Sequence, residues 1–513
     1  MKNILITGLL FILTACSNYL EEYSQDLSRV ETVADLDELL LGEAYLPVGY
    51  YPDGAKTYNI FIHFMADELK QNPQTDEGVY PFAVVTGNLF GYFTWQRQVG
   101  INSKLTTVGS EAGCWNQSYE YINATNIILD ELDNVNARNE KETLAKIRVE
   151  GEAHFLRALY YFTLVNMYAK PYEPSNAATT PGVPIKLTSY IEDKDYTLAP
   201  LSEVYKQILG DLERAEACLK QTDRVSVYRA DLTATYLLTA RVYLYMQDYA
   251  NARKYAQFVL DRNNSLTDLN SYKGEGNVLT SSSPEVIFSM GGNLLSTGIL
   301  GSPYDWYDGG YIRNARPYYI SDDLLGSFKE GDLRKTNYIT NSDNYTTYHK
   351  VSWENRTHPN AKCSVSDNFL FRTTEAYLIL AEAAAFDNDE PKAQEMLTLL
   401  LNKRFATGQT VTEKGNDLID LIREERQREL CLEGHRWYDL RRYTVCEKYK
   451  WSKEITHLYT EFNLNEPIET RTYKLDKFDE AYTLAIPKEV LEYQLDLGKN
   501  NRPERTATDI ITY

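Results

Sequence analysis

Six histidines are scattered through the 513 residues (His63, His154, His349, His358, His435 and His457), and none falls in an H-E-x-x-H or finger spacing. A zinc site therefore has no support, and no P-loop or G-x-G-x-x-G is present to hold a nucleotide. No cofactor is expected. Apart from Cys16, the cysteines are Cys114, Cys218, Cys363, Cys431 and Cys446. They are odd in number, far apart and without a C-x-x-C, which reads as buried free thiols rather than a disulfide framework. Carboxylates are plentiful at 73, and Ile422–Tyr443 is dense in charge, including Arg423, Glu424, Arg428, Glu429, Arg436 and Asp439. Hydrolysis of a glycosidic bond needs two carboxyl groups at a set separation, which a linear sequence does not measure. The plainer reading is a salt-bridged helix, with Glu424 and Arg428 paired four residues apart, packing through Leu421, Leu430, Trp437 and Leu440. Asp387–Glu390 hints at calcium, but Lys392 stands where an EF-hand needs Gly. Residues 341–344 form a second, weak calcium candidate.

Three loops carry chemistry of another kind. Tyr50, Tyr51 and Tyr58 fall in the first, and Phe90, Tyr92, Phe93 and Trp95 in NLFGYFTWQ. Tyr304, Trp306, Tyr307 and Tyr311 fall in SPYDWYDGGYIR, interleaved with Asp305, Asp308 and Arg313. Sugars offer C–H faces to aromatic rings and hydroxyls to carboxylates, amides and guanidinium groups, so such loops suit a glycan. The alternative is that the rings pin long loops to the body or meet a partner protein. Trp306, Tyr304, Tyr307, Asp305, Arg313, Trp95 and Tyr92 are the candidate ligand contacts, and no residue is assigned a catalytic or metal-binding role.

The apolar run from Ile4 to Leu13, with Lys2 before it, is about half of the roughly 20 residues a membrane span requires and has the shape of a signal peptide. Leu13-Thr14-Ala15-Cys16 resembles a bacterial lipobox, which makes Cys16 the lipidated residue and the new amino terminus. The acyl chains would anchor the protein, each buried CH₂ being worth about 0.8 kcal/mol. The net charge of −20 argues against nucleic acid.

The elements that must position these loops read as mostly helical. Hydrophobic content is 43% and charged content 25%, ordinary for a globular protein. Thr32–Tyr45 reads as a first helix, with Thr32 as cap and Asp35 at the capping-box position. Residues 46–114 read as loops with short elements. Helices are expected over 115–134, 144–168, 201–220, 232–246 and 249–261, then 369–386, 391–404 and 417–442, with irregular chain over 262–368. Tyr236, Ala240 and Ala252 repeat at the spacing of Tyr377, Ala381 and Ala393. Each set spans a helix, a polar turn and a second helix, with alanine where helices must approach closely, as in a tetratricopeptide hairpin.

Taken together, the lipobox with CSNYLEE, WNQSYEYINATNIIL, GEAHFLRALYYFTLVNMYAKPY with PGVPI, the two hairpins, IREERQRELCLEGHRWYDLRRY and AYTLAIPKEVLEYQLDLGKNNRP resemble the SusD/RagB family of outer-membrane lipoproteins. The match runs nearly end to end. It departs at FLFRTTEAYLILAEA, where the family often has Leu-Arg before the hairpin. The resemblance implies a mostly α fold of tetratricopeptide-like hairpins with a less regular, loop-rich ligand-facing part. It implies a signal peptide over 1–15, a tether over 16–30, an N-terminal region over 31–265 and a C-terminal region over 266–513, the two packed as one unit. It also implies a non-catalytic protein at the cell surface, held to the outer membrane by its lipid. Such a protein captures glycan or another nutrient and serves as lid to a SusC-like TonB-dependent transporter. Two other classes are a lipid-anchored glycoside hydrolase and a tetratricopeptide scaffold of the envelope. The scaffold has no use for aromatic insertions as long as 46–114 and 262–368.

Overall fold

A computed structural model describes residues 30–46, 58–59, 61–72, 82–273, 278–292, 295, 300, 304–307, 310–313, 317–342, 345–348, 350–351, 365–463, 466–494, 497–498 and 502–513. For 82–85, 304–307, 310–313, 340–342 and 345–347 it describes the backbone alone. Cys16, Cys363, Tyr50 and Tyr51 lie outside the described residues.

Most of the longer helices pack against their neighbours in sequence. Helix α1 (Val33–Leu39) continues as a π-type turn over Leu40–Ala44. Its start is the expected capping box: Asp35 N–H donates to Thr32 Oγ1 (3.2 Å) and Thr32 N–H to Asp35 Oδ2 (2.8 Å). Helix α2 spans Phe82–Phe93, α3 Gly113–Glu131, α4 Glu140–Tyr168 and α5 Leu201–Leu219. The first hairpin is α6 (Leu232–Tyr245) with α7 (Tyr249–Arg262), and the second is α8 (Thr373–Phe386) with α9 (Glu390–Leu401). Helix α4 packs between α3 and α5, α7 packs on α8, and α10 (Gly415–Glu429) closes onto α8. Ala240, Ala252, Ala381 and Ala393 are fully buried, as close helix approach requires. Gly151 serves the same end on α4. A Cβ there would stand 2.8 Å from Leu219 Cγ and 2.9 Å from Cys218 Cβ on α5.

Three expectations need correction. NLFGYFTWQ begins inside α2 rather than in a loop, because Gly91 lets the helix lie on the Val99 backbone; a Cβ would meet Val99 O at 2.2 Å. Residues Leu370–Arg372 form a strand before α8 starts. The span 417–442 is two helices, α10 and α11 (Arg436–Tyr443), because Leu432 (φ 61°) and Gly434 (φ 81°) turn the chain through left-handed conformations. At Gly434 only glycine fits easily, since a Cβ would also lie 2.7 Å from Asn368 Oδ1.

Between and after the helices lie small antiparallel sheets. β1 (Leu69–Gln71) pairs with β5 (Tyr318–Ile320), β2 (Val286–Ser289) with β8 (Leu370–Arg372), β3 (Tyr304–Tyr307) with β4 (Gly310–Arg313), and β6 (Ile339–Ser342) with β7 (Tyr345–Tyr348). A three-stranded sheet, ordered β11–β10–β9, joins β9 (Ile455–Asn463), β10 (Glu466–Leu475) and β11 (Asp509–Thr512). Cys114, Cys218, Cys431 and Cys446 are buried free thiols.

Candidate functional site

A buried lattice of charge braces the C-terminal half of the chain. Arg372 ends β8 and reaches Glu285 (2.8 Å), Glu429 (2.9 Å) and Glu433 (2.6 Å). Arg404 binds Glu429 (2.8 Å) and Glu285 (3.1 Å). Arg334 binds Asp332 (2.7 Å), Glu425 (2.9 Å) and Glu429 (3.2 Å). Lys350 pairs with Glu433, and Arg428 with Glu425 (2.5 Å). Five cations thus face five carboxylates, Glu285, Asp332, Glu425, Glu429 and Glu433, all with side chains at most 2% exposed. Buried charge is tolerated when it is paired and hydrogen-bonded in this way. The surrounding guanidinium groups of Arg404, Arg372 and Arg334 outweigh desolvation and hold Glu429 well below the usual carboxylate range. A carboxylate saturated with arginines is a poor proton donor, so the most charged stretch of the sequence is structural. The expected Glu424–Arg428 pair is present at 3.0 Å, at the exposed rim of this lattice. The expected salt-bridged, packed stretch is present, and most of its charges are buried.

A second cluster joins β1 to α11. Asp67 accepts from Arg436 (2.7 and 2.8 Å) and Lys453 (2.8 Å). The neighbouring Glu68 is buried and accepts from Leu432 N–H at 3.1 Å. Burial, and then the Asp67 charge, push its carboxyl up to about 8.

The predicted ligand residues divide. Tyr304–Tyr307 and Gly310–Arg313 form an antiparallel ribbon in the register Tyr304↔Arg313, Asp305↔Ile312, Trp306↔Tyr311 and Tyr307↔Gly310. Cross-strand partners share a face and neighbours along a strand alternate. Residues Tyr304, Trp306, Tyr311 and Arg313 therefore occupy one face of the ribbon, and Asp305 and Tyr307 the other. Their side chains lie outside the described residues. Trp95 is a correction: it has no exposed surface. Its Nε1 donates to Met65 O (2.9 Å) and its ring stacks on His457 at 4.3 Å. A ring enclosed by the core cannot meet a glycan. Tyr92 is half-buried, its ring stacked on Phe61 at 4.4 Å and 19°. Tyr58 is also a core residue, its hydroxyl 2.9 Å from Ser118 Oγ.

The 387–390 turn is bonded within the protein. Asp389 caps α9 through Lys392 N–H (3.3 Å) and pairs with Arg253 (2.7 Å), while Asn388 accepts from Lys448 (2.7 Å). Residues 343–344 lie outside the described residues. No His, Cys, Asp and Glu cluster among the described residues has the makings of a metal site.

Two family profiles match the chain. One, SusD-like, is described as starch-binding and associating with the outer membrane and covers residues 61–244; the other, the SusD family, covers 302–502. SusD-like protein P25 of Formosa agariphila is 23% identical over 87% of this chain and 90% of its own length. The starch-binding protein SusD of Bacteroides thetaiotaomicron is 30% identical over 25% of this chain and 21% of its own. Among solved structures, a SusD superfamily protein from Bacteroides vulgatus superposes with a TM-score of 0.67 at 19% identity, covering 92% of this chain and 99% of that one. Surface glycan-binding protein A from Bacteroides fluxus superposes with a TM-score of 0.61 at 17% identity, covering 91% and 97%.

Proposed function

Because the chain belongs to the SusD/RagB family, we propose that it is a non-catalytic glycan receptor at the outer surface of the outer membrane. It is anchored through lipid on Cys16 and passes its ligand to a SusC-like TonB-dependent transporter. The observation that carries this reading is the pair of family matches, one of them starch-binding and outer-membrane-associating, which together take in both halves of the chain. The ribbon supports it. Its register sets Tyr304, Trp306 and Arg313 on one face, the combination of stacking surface and hydrogen-bond donor that a sugar ring uses. The carboxylates of the densest acidic stretch are held by arginines, which weighs against a hydrolase. No helix among the described residues is long and apolar enough to cross a membrane.

A glycan-array and affinity-gel screen of the soluble form lacking residues 1–16 tests the reading. Binding to at least one polysaccharide with no shortening of the chains is the expected result. Release of reducing ends would overturn it.

A further inference from the structure

A surface trough of about 540 Å³ lies where three segments converge: the start of α3, the connection over 184–196, and a short helix Lys488–Tyr493. Trp115 and Tyr119 supply two rings on α3, with centroids 5.4 Å apart. Tyr196 supplies a third and Tyr493 a fourth. The first three are fixed. Trp115 is 5% exposed and rests edge-on against Tyr168. Tyr119 donates to Pro184 O (2.8 Å), and Tyr196 to Glu192 Oε2 (2.5 Å). The connection itself is stapled, since Lys186 donates to Tyr190 O (2.9 Å) and to Asn123 Oδ1 (3.5 Å) on α3. Tyr493 is the opposite case: 89% of its surface faces water.

Carboxamides alternate with these rings. Asn116 and Gln494 line the trough, and their side-chain amides have no hydrogen-bond partner among the described residues. A carboxamide both donates and accepts, as a sugar hydroxyl does. A volume of this size lies within the range of ligand sites. A purely apolar partner would strand the two amides, whereas a pyranose chain satisfies them while laying its C–H faces on the rings.

We propose that this trough is a carbohydrate-binding site, separate in its residues from the 304–313 ribbon. Tyr493 is the ring that stacks on the incoming sugar, and Asn116 and Gln494 bind its hydroxyls. The proposal rests on the glycan-receptor reading and adds a second place of contact, which suits a receptor holding an extended chain. Two weak contacts on one chain combine through effective concentration.

The test uses the soluble wild type and the Tyr493→Ala/Asn116→Ala double variant with starch, xylan, laminarin, mannan, pectin and alginate. With the best-binding polysaccharide, hydrogen–deuterium exchange should slow in peptides covering 113–123 and 488–494. The double variant should bind about tenfold more weakly, in the range of an aromatic anchor loss, with an unchanged melt, since both side chains are exposed. Wild type that binds a polysaccharide while these peptides and the variant's affinity stay unchanged overturns the trough alone. Protection of the same peptides by the co-purified transporter without glycan assigns the trough to a protein interface and also overturns it. Wild type that binds none of the six overturns this site and the receptor reading together.

Discussion

Glu68→Gln should make the protein less sensitive to pH. Glu68 is 1% exposed and sits beside Asp67, which already holds Arg436 and Lys453. Among the described residues the Glu68 carboxyl accepts only the Leu432 N–H, and burial and the Asp67 charge raise it from 4.5 to about 8. At neutral pH the folded protein therefore keeps a proton here that the unfolded chain has released. A raised folded value means that the contribution is complete below pH 4.5 and is lost as pH rises towards 8. At about 1.4 kcal/mol per pH unit, the ceiling across that window is roughly 5 kcal/mol. Relaxation around the charge lowers such ceilings, and about 2 kcal/mol between pH 5 and pH 8 is the expected loss. Glutamine keeps the shape and the acceptor oxygen but has no proton to lose. Urea denaturation at pH 5, 6.5 and 8, followed by tryptophan fluorescence, reads the difference. The variant should gain on wild type steadily as pH rises. A gap that is constant across the series, or that widens towards acid, would refute the assignment of Glu68 as a buried neutral acid.

Cys16→Ala should move the protein from the membrane fraction to the soluble fraction and abolish labelling by radioactive palmitate; an unlabelled wild type would sink the anchor. Ala381→Glu places an unpaired carboxylate at a fully buried helix contact, and should cost several kcal/mol in a thermal melt. Trp306→Ala should weaken binding of the preferred glycan by about tenfold, near 1.4 kcal/mol, with little change in melting temperature. Calorimetry beside a melt separates this from a packing role, which would show the reverse pattern. Arg372→Met should destabilise the fold by about 3–5 kcal/mol, because it strips Glu285, Glu429 and Glu433 of a shared partner; an unchanged urea midpoint would contradict the lattice.

What was legible in the sequence was local. The Thr32–Asp35 box closes within one helical turn, and the alanine spacing of the two hairpins is set by one helix pair, so both can be read from adjacent residues. The Trp95 segment misled because its Gly91 looks like a loop signal, whereas the glycine is there for contact with the Val99 backbone. The 455–475 sheet could not be read because its burial does not follow hydropathy: ITHLYTEFN is buried at alternate positions over its first five residues, yet polar His457 is inside and Leu458 is exposed. The trough was invisible for a different reason. Trp115 and Tyr119 fall in a helix whose rings read as seam residues, and only the fold brings Tyr493 to them.

The charge lattice shows where such reading must fail. Periodicity assigns a charged residue to the solvent side of a helix unless a partner is known, and these partners are remote: Glu285 lies 87 residues from Arg372, and Glu429 lies 95 from Arg334. The consequence reaches the binding surface. A five-against-five neutral lattice ties β2, β8 and α10 to the segments from Asp332 to Lys350, which enclose the β6–β7 ribbon. Its stability depends on pairing geometry inside the body, not on what the ribbons carry outside. If the 304–313 ribbon contacts glycan as proposed, its residues can change with the ligand while the frame stays fixed. On that argument the helices and their buried arginines disclose the family, and the identity of the ligand has to be sought in the aromatic and amide groups at the surface.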